Sequence, residues 1–306
     1  MPKLKQAYCH WSKSLGELES TAFQVWGTPP YNCWKNRKDN LIQFGCYDVR
    51  DYIKLFLHRG KRFILWAGSD ILNLKNNFLF NNGKFRTISK IFSGFPRFLD
   101  GWLDKHCENW VENETEKQAL ESLGIKVTGV CPSYLDIVNN YEMNYEWDKT
   151  MKVYLSTNEG REREYGFTTV LNVAYALPDV EFHLYGSNSW KEWWGLYAYK
   201  QKGRENIVMH GRVSKEQMNE EIKKMQVGLR LNEFDGFSEI LAKSVLWGQY
   251  QIGKVKHPMI PSFKNDRELV AELKKIQGYK EHNFETRNYY LYTLNNFPWN
   301  MKKLQR

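Results

Sequence analysis

Several stretches of the chain place charged or polar side chains where a ligand could be held. The segment Glu233-Phe234-Asp235-Gly236-Phe237-Ser238 follows an apolar run at residues 227–232 and precedes a helical pattern in which Ile240, Leu241, Ser244 and Val245 share one stripe. A strand, an Asp-Gly turn and a helix start with Ser238 as N-cap would aim backbone N–H groups and a positive helix end at one spot, which suits an anion. The loop at residues 158–166 carries Arg161 and Arg163, whose guanidiniums can bind phosphate oxygens bidentately, although its Arg-Glu-Arg-Glu order can also pair with itself as a solvated turn. Trp66-Ala67-Gly68-Ser69-Asp70 ends a strong apolar strand with a carboxylate, which either faces a ligand at the sheet edge or caps the next helix.

The elements that must position these groups follow an α/β rhythm. In the first half, strands are expected at residues 6–10, 41–45, 61–67, 109–111 and 126–130, with helices at 16–26, 48–58 and 113–123. Residues 73–98 lack a clean period and read as loop with some helix, and residues 139–149 read as a polar interdomain linker. In the second half, strands are expected at 151–156, 181–186, 206–211, 227–232 and 250–252, and helices at 167–176, 214–225 and 265–276. Residues 257–262 read as strand or loop, and 284–304 as a terminal helix. Trp190, Trp193, Trp194 and Tyr197 recur at helical spacing between Lys191 and Lys200, which fits either a crossover helix packed on the sheet or an interfacial helix on a membrane.

Composition narrows the function classes. A chain of 306 residues with 42% hydrophobic and 26% charged residues suits a soluble protein of two domains. The net charge of +9 favours acidic partners such as nucleotides, phosphorylated substrates or anionic lipid. Its basic excess is spread over both halves, and no nucleic-acid motif is present, which argues against a nucleic-acid-binding protein. Five scattered cysteines (Cys9, Cys33, Cys46, Cys107, Cys131) have no metal-ligand spacing and read as reduced thiols in the cytoplasm. No signal peptide and no membrane-length apolar run is apparent.

The segment from Arg230 to Ile252 resembles the donor-binding motif of GT-B glycosyltransferases, in particular the retaining, sugar-nucleotide-dependent group 1 (family 4-like) enzymes. Asp235-Gly236-Phe237-Ser238 matches its opening and Gly248 and Ile252 its close, and Arg230 fits a subgroup reading Arg-x4-Asp-Gly-x-Ser. The run LPDVEFHLYG resembles the second strand of that family's donor domain, and Ala67-Gly68-Ser69-Asp70 resembles its HGSD-type turn with the His replaced.

The resemblance implies an α/β, GT-B fold with two Rossmann-like domains facing a central cleft. These would be an acceptor-side domain at residues 1–145 and a nucleotide-sugar donor domain at 146–283, with a helix at 284–306 crossing back onto the first. It implies a glycosyltransferase that moves a sugar from a nucleoside diphosphate sugar to a glycan, protein or lipid-linked acceptor. Anomeric configuration would be retained, with no metal or other cofactor and peripheral membrane contact where the acceptor is lipid-linked. Site residues carried over are Asp235 and Asp70 as catalytic groups, and Arg161, Arg163, Arg212, Arg230, Gly236, Phe237 and Ser238 as donor-binding groups. His210 reads as part of a structural turn rather than as a base.

Two positions depart from the family pattern. Tyr165 stands where a Lys is expected, and Lys243 replaces the second acid that would hold the ribose. Either Glu239, one helical turn earlier, takes over that role, or Lys243 contacts a donor phosphate, or the two form an i,i+4 surface pair. These departures keep a catalytically degenerate binding protein of the same fold open as the alternative.

Overall fold

The computed structural model describes residues 6–15, 26–78, 93–132, 145–147, 150–188 and 198–296, together with residues 87, 90, 142, 143 and 195. Chain contacts divide it into two compact units. The first comprises Met1–Asn139, Phe234–Phe237 and Tyr290–Arg306, and the second Asn140–Glu233 and Ser238–Tyr289.

The first unit is built on a parallel sheet of β1 (Ala7–Trp11), β2 (Asn40–Phe44), β3 (Arg62–Leu65), β4 (Glu108–Val111) and β5 (Val127–Val130), which lie side by side in chain order. Its helices are α1 (Val49–Leu57), α2 (Ser69–Lys75), α3 (Phe95–His106) and α4 (Glu114–Glu121). Helix α1 starts at Asp48, which forms a capping box with Asp51. Helix α4 starts at Asn113, whose side chain accepts the Glu116 N–H at 2.9 Å. The core gathers Leu41, Tyr52, Leu55, Ile64, Trp66, Leu99, Leu103, Val111 and Leu120, all fully buried. Each such side chain contributes about 1.5–3 kcal/mol by leaving water.

Helix α3 begins within the stretch read as loop with some helix and continues to His106, where the sequence pattern assigns no element. Pro96 sits in its first turn, where a missing N–H costs nothing, and Leu99 and Leu103 bury the same face one turn apart.

The second unit is built on β6 (Met151–Ser156), β7 (Val180–Tyr185), β8 (Ile207–Gly211), β9 (Val227–Arg230) and β10 (Tyr250–Gly253). All pair parallel in the order β10-β9-β6-β7-β8. The chain winds outward from β6 in one direction through β7 and β8, then returns to β9 on the other side. That reversal is a topological switch point, beyond whose carboxyl ends doubly wound sheets leave room for a ligand. Helices α5 (Phe167–Ala176), α6 (Lys215–Ile222), α7 (Glu239–Leu246), α8 (Asp266–Gln277) and α9 (Phe284–Asn295) complete the chain. Val153, Leu155, Phe167, Val170, Phe182, Leu184, Leu229 and Leu269 belong to one buried cluster.

Part of the expected linker is packed into this unit. Tyr145 is buried, its hydroxyl donates to the Gly248 carbonyl at 2.5 Å, and its ring meets His282. Residues 257–262 form a loop touching β10 through one bridge from Ser262 to Gly253. The expected helix at 16–26, the aromatic run at 189–200, much of 73–98 and 139–149, and the chain after 296 fall wholly or mainly outside the described residues. No helix among the described residues is long and apolar enough to cross a membrane. All five cysteines are free thiols.

Candidate functional site

In the second unit, the switch point brings together the loop that leaves β6 and the end of β9. That loop folds around Glu162, a buried carboxylate that accepts the Gly160 N–H at 3.0 Å and the Ser187 hydroxyl. Burial opposes ionisation of Glu162, but those bonds hold its pKa below the usual carboxylate value. The loop ends at Gly166, whose φ of +83° and close approach to the Leu231 side chain leave no room for a Cβ.

Glu162 turns its neighbours outward, so Arg161 and Arg163 are exposed. Arg161 pairs with Glu164 at 2.6 Å and lies 5.6 Å from the Tyr165 ring centroid. Arg230, the last residue of β9, places its guanidinium 4.7 Å from the same ring. Tyr165, standing where the family resemblance expected a Lys, is therefore a buried aromatic platform that gathers two guanidiniums. Arg212, just past β8, reaches Glu159 at 3.8 Å, and its backbone N–H donates to Asn188. Arg163 is not drawn into the Tyr165 group.

Sequence reasoning missed His257, which is buried near Arg230. Burial and the Arg230 charge lower its pKa to about 4, so the imidazole is neutral at physiological pH. His210 is held in place: it stacks on Tyr185, hydrogen-bonds His183 at 2.8 Å and lies 3.1 Å from a Glu221 oxygen, while burial lowers its pKa.

Helix α7 begins as foreseen, with Ser238 accepting the Leu241 N–H. Lys243 corrects two expectations at once. Only 1% exposed, it donates to Asn219 at 2.9 Å and pairs with Glu239 at 2.5 Å, so it neither faces a donor phosphate nor forms a surface pair. Glu239 keeps a side chain 36% exposed and takes a second ammonium, Lys215, at 2.8 Å. Burial opposes its ionisation, yet the two lysines hold its pKa below the usual value.

The Asp235-Gly236-Phe237 turn groups with the first unit. Asn113 Nδ2 donates to the Asp235 carbonyl at 2.8 Å, and the Phe237 N–H donates to Glu112 Oε2 at 2.7 Å. A Cβ on Gly236 would run into that same Glu112 oxygen, so any larger residue here would have to displace the Glu112 carboxylate. Phe237 also stacks on Tyr290, with ring centroids 4.9 Å apart. Its N–H is thus committed to the turn rather than open to an anion, contrary to the expected donor contact. Glu112 and Asn113 had no signal in the sequence beyond the helix cap at Asn113.

Asp70 is also committed. Fully buried, it accepts N–H groups from Cys46 at 2.9 Å, Ala67 at 3.1 Å and Ile71 at 2.9 Å, tying the ends of β2 and β3 to α2. Burial raises its pKa to about 6 against the pull of those bonds. Its carboxylate is a buried tie between these loops rather than a group open to substrate, and the N-cap of α2 is Gly68. Glu116, equally buried, accepts the Glu112 N–H at 2.7 Å, and burial and the Glu112 charge push its pKa well up. Among the described residues no group of three or more His, Cys, Asp or Glu is placed to hold a metal ion.

No sequence-family model matches the chain, and no curated protein does. Solved structures do. The lipopolysaccharide outer core galactosyltransferase WaaB is similar over 96% of this chain and 96% of its own, with TM-score 0.57 at 12% identity. The chain has the GT-B fold. Sucrose-phosphate synthase from Thermosynechococcus elongatus is similar over 91% of this chain and 72% of its own, with TM-score 0.53 at 10% identity. TarM of S. aureus, in complex with UDP among other ligands, is similar over 84% of this chain with TM-score 0.51 at 12% identity. The chain spans about half the length of the TarM and GtfA/B chains it matches (51% and 54%). The GT-B architecture fits the switch point of the second unit, where Arg161, Tyr165 and Arg230 converge.

Proposed function

We propose that this GT-B protein is a glycosyltransferase that moves a sugar from a nucleoside diphosphate sugar to an acceptor hydroxyl. The observation that carries the proposal is the pair of guanidiniums, Arg161 and Arg230, gathered on Tyr165 beyond the switch between β6 and β9. Two cations at that place match the charge of a diphosphate and can stabilise it as a leaving group without a metal. The similarity to the galactosyltransferase WaaB and to sucrose-phosphate synthase supports the same chemistry.

In this reading Arg161 and Arg230 bind the diphosphate, with Arg163 and Arg212 at its margin. Glu239, ionised and fixed by Lys215 and Lys243, accepts hydrogen bonds from the ribose. Asp235 is carried over from the donor motif as an acceptor from donor-sugar hydroxyls; its turn is held within the first unit by Asn113 and Glu112. The N-terminus of α7 adds a positive dipole. Retention of configuration is carried over with the fold and the donor motif.

Calorimetry and thermal shift with UDP-, GDP-, ADP- and CMP-sugars test the proposal. A donor present at one hundred times its dissociation constant should stabilise the fold by about 2.7 kcal/mol. Absence of a shift with every donor, alongside tight binding of an oligonucleotide, overturns it. The commitment of Lys243 to a buried pair favours the degenerate alternative, which an assay for released nucleotide separates: donor binding without turnover supports it.

A further inference from the structure

We propose that the turn at residues 32–39, with the end of α1 and the turn after it, is a docking surface for an anionic lipid bilayer. Trp34 stands at the tip of this turn with 86% of its surface exposed, while Trp11, Trp26, Trp66, Trp110 and Trp247 are buried. An indole left in water is unfavourable, and the membrane interface is where its apolar ring and polar N–H are both satisfied.

The turn is rigidly built to present that ring. The Asn32 side chain accepts the N–H groups of Trp34 and Lys35 at 3.0 and 3.1 Å, and the Asn32 carbonyl accepts the Asn36 N–H at 2.8 Å. The Arg37 carbonyl accepts the N–H groups of Arg59 and Gly60 at 2.8 and 3.2 Å, and Arg37 Nε donates to the Leu57 carbonyl. Buried His58 bonds both Tyr31 and the Asp39 carbonyl at 2.9 Å. Gly60 lies so close to the Lys38 and Asp39 carbonyls that no Cβ could fit. These contacts join two loops and the end of α1 into one surface.

Its chemistry has two parts. Lys35, Lys38, Arg59 and Lys61 are exposed, Arg37 is half-buried, and Asp39 is the only carboxylate in the two turns. Leu57 and Ile53, one helical turn apart on α1, are 54% and 46% exposed. A basic rim around an indole and two aliphatic side chains fits anionic headgroups over an acyl boundary. A nucleic acid could use the indole and the cations but has no use for Ile53 and Leu57.

The location is also suitable. β2 and β3 begin at this surface, at Asn40 and Arg62, whereas Asp70 and Glu112 lie beyond the carboxyl ends of β3 and β4. A parallel strand of five residues spans about 17 Å, so docking leaves the other edge of the sheet uncovered. The surface is separate from the aromatic run at 189–200 and does not depend on the proposed reaction.

Co-sedimentation of the whole chain with vesicles tests the inference. Equimolar phosphatidylcholine and phosphatidylserine vesicles should bind it, pure phosphatidylcholine vesicles should not, and added salt should release it. Lys35→Ala and Lys38→Ala should each weaken partitioning about fivefold, the value of one basic residue near an anionic surface. Trp34→Ala should weaken it roughly tenfold, the low end for burying a large apolar side chain, with the thermal melt unchanged. The lysine variants carry the test should Trp34→Ala misfold. No binding to the anionic vesicles overturns the proposal, as does binding that none of the three variants weakens. Binding of oligouridylate that these variants abolish, with no vesicle binding, assigns the surface to nucleic acid instead.

Discussion

The carboxyl ends of the two sheets use charge in opposite ways. In the first unit the strands run in chain order without reversal, and the charges beyond them are acids turned inward: Asp70 and Glu116 are fully buried and accept backbone N–H groups. In the second unit the order reverses between β6 and β9, and the charges beyond them are guanidiniums turned at least partly outward. Buried carboxyl groups that accept backbone N–H groups hold turns in place. The guanidiniums of Arg161 and Arg230 are instead reachable from solvent beside the Tyr165 ring. Asp70, in the first turn of α2 beyond β3, and Arg230, the last residue of β9, both lie near the carboxyl end of a strand, and burial separates them: Asp70 is closed off and Arg230 is half-exposed.

Lys243 tests the comparison most severely, because it is a buried charge in the basic unit. Its ammonium is committed to Glu239 and Asn219, so Lys243→Glu would set a second carboxylate beside Glu239 in a dry site. The expected cost is ~3–5 kcal/mol of stability, the range for breaking a buried ion pair. Urea denaturation measures it. Stability unchanged, with donor affinity altered, would return Lys243 to the binding surface and blur the line between buried and ligand-facing charge.

Asp70 supplies the corresponding test in the acidic unit. Folding raises its pKa to about 6 by burial, so the folded state holds the proton more tightly than the unfolded one. The contribution of Asp70 to stability is therefore greatest below its unfolded pKa of ~3.9, falls as pH rises towards about 6, and is level above that. The total change is about 3 kcal/mol, two pKa units at ~1.4 kcal/mol each. The difference between parent and Asp70→Asn in urea midpoint, followed from acid to neutral pH, isolates it from Glu116, which shifts in the same direction. A difference that does not vary with pH would show that Asp70 is not the buried tie described.

Arg230→Ala sharpens the other side. Removing this guanidinium should weaken diphosphate binding by ~1.5–3 kcal/mol, one charge-assisted contact, while leaving the denaturation midpoint little changed. Equal affinity of UDP or GDP for parent and variant would make Arg230 structural, like Asp70.

Local signals were legible in the sequence and long-range ones were not. Ser238, Ser214, Asn113 and Asp48 cap their helices because an N-cap is set by residues within one turn. Strand β6 and helix α5 fall where their apolar patterns placed them, at Met151–Ser156 and Phe167–Ala176. Helix α3 was legible in principle from Phe95, Leu99, Trp102 and Leu103, but the aromatic run before it and Gly101 within it obscured the period. Glu112 could not be found this way, since its bond to Phe237 spans 125 positions and the pairing follows from the fold alone. Lys243 was misjudged because i,i+4 spacing fixes a partner but not burial. Tyr165 looked like a lost charge, whereas the structure makes it the support for two others.

Tyr165 carries the smallest expected effect and the most specific one. Its ring lies 4.7 Å from the Arg230 guanidinium and 5.6 Å from that of Arg161, and its hydroxyl accepts from Asn158 at 3.2 Å. Tyr165→Phe keeps the ring face and removes the hydroxyl, so nucleotide affinity should stay near the parent's. Tyr165→Leu keeps an apolar side chain in a buried place but removes the π-face, and each cation–π contact at a partly exposed site is worth about 0.5–1 kcal/mol. The Leu variant should therefore bind UDP or GDP up to about tenfold more weakly, with the loss shared between the two arginines. Combining it with Arg230→Ala should give less than the sum of the two single effects, because the ring acts through that guanidinium. Calorimetric titration of the four proteins reads this directly. Strict additivity would mean that Tyr165 serves only to fill the space behind the loop, and that the two guanidiniums are placed by their own chain segments rather than by the ring between them.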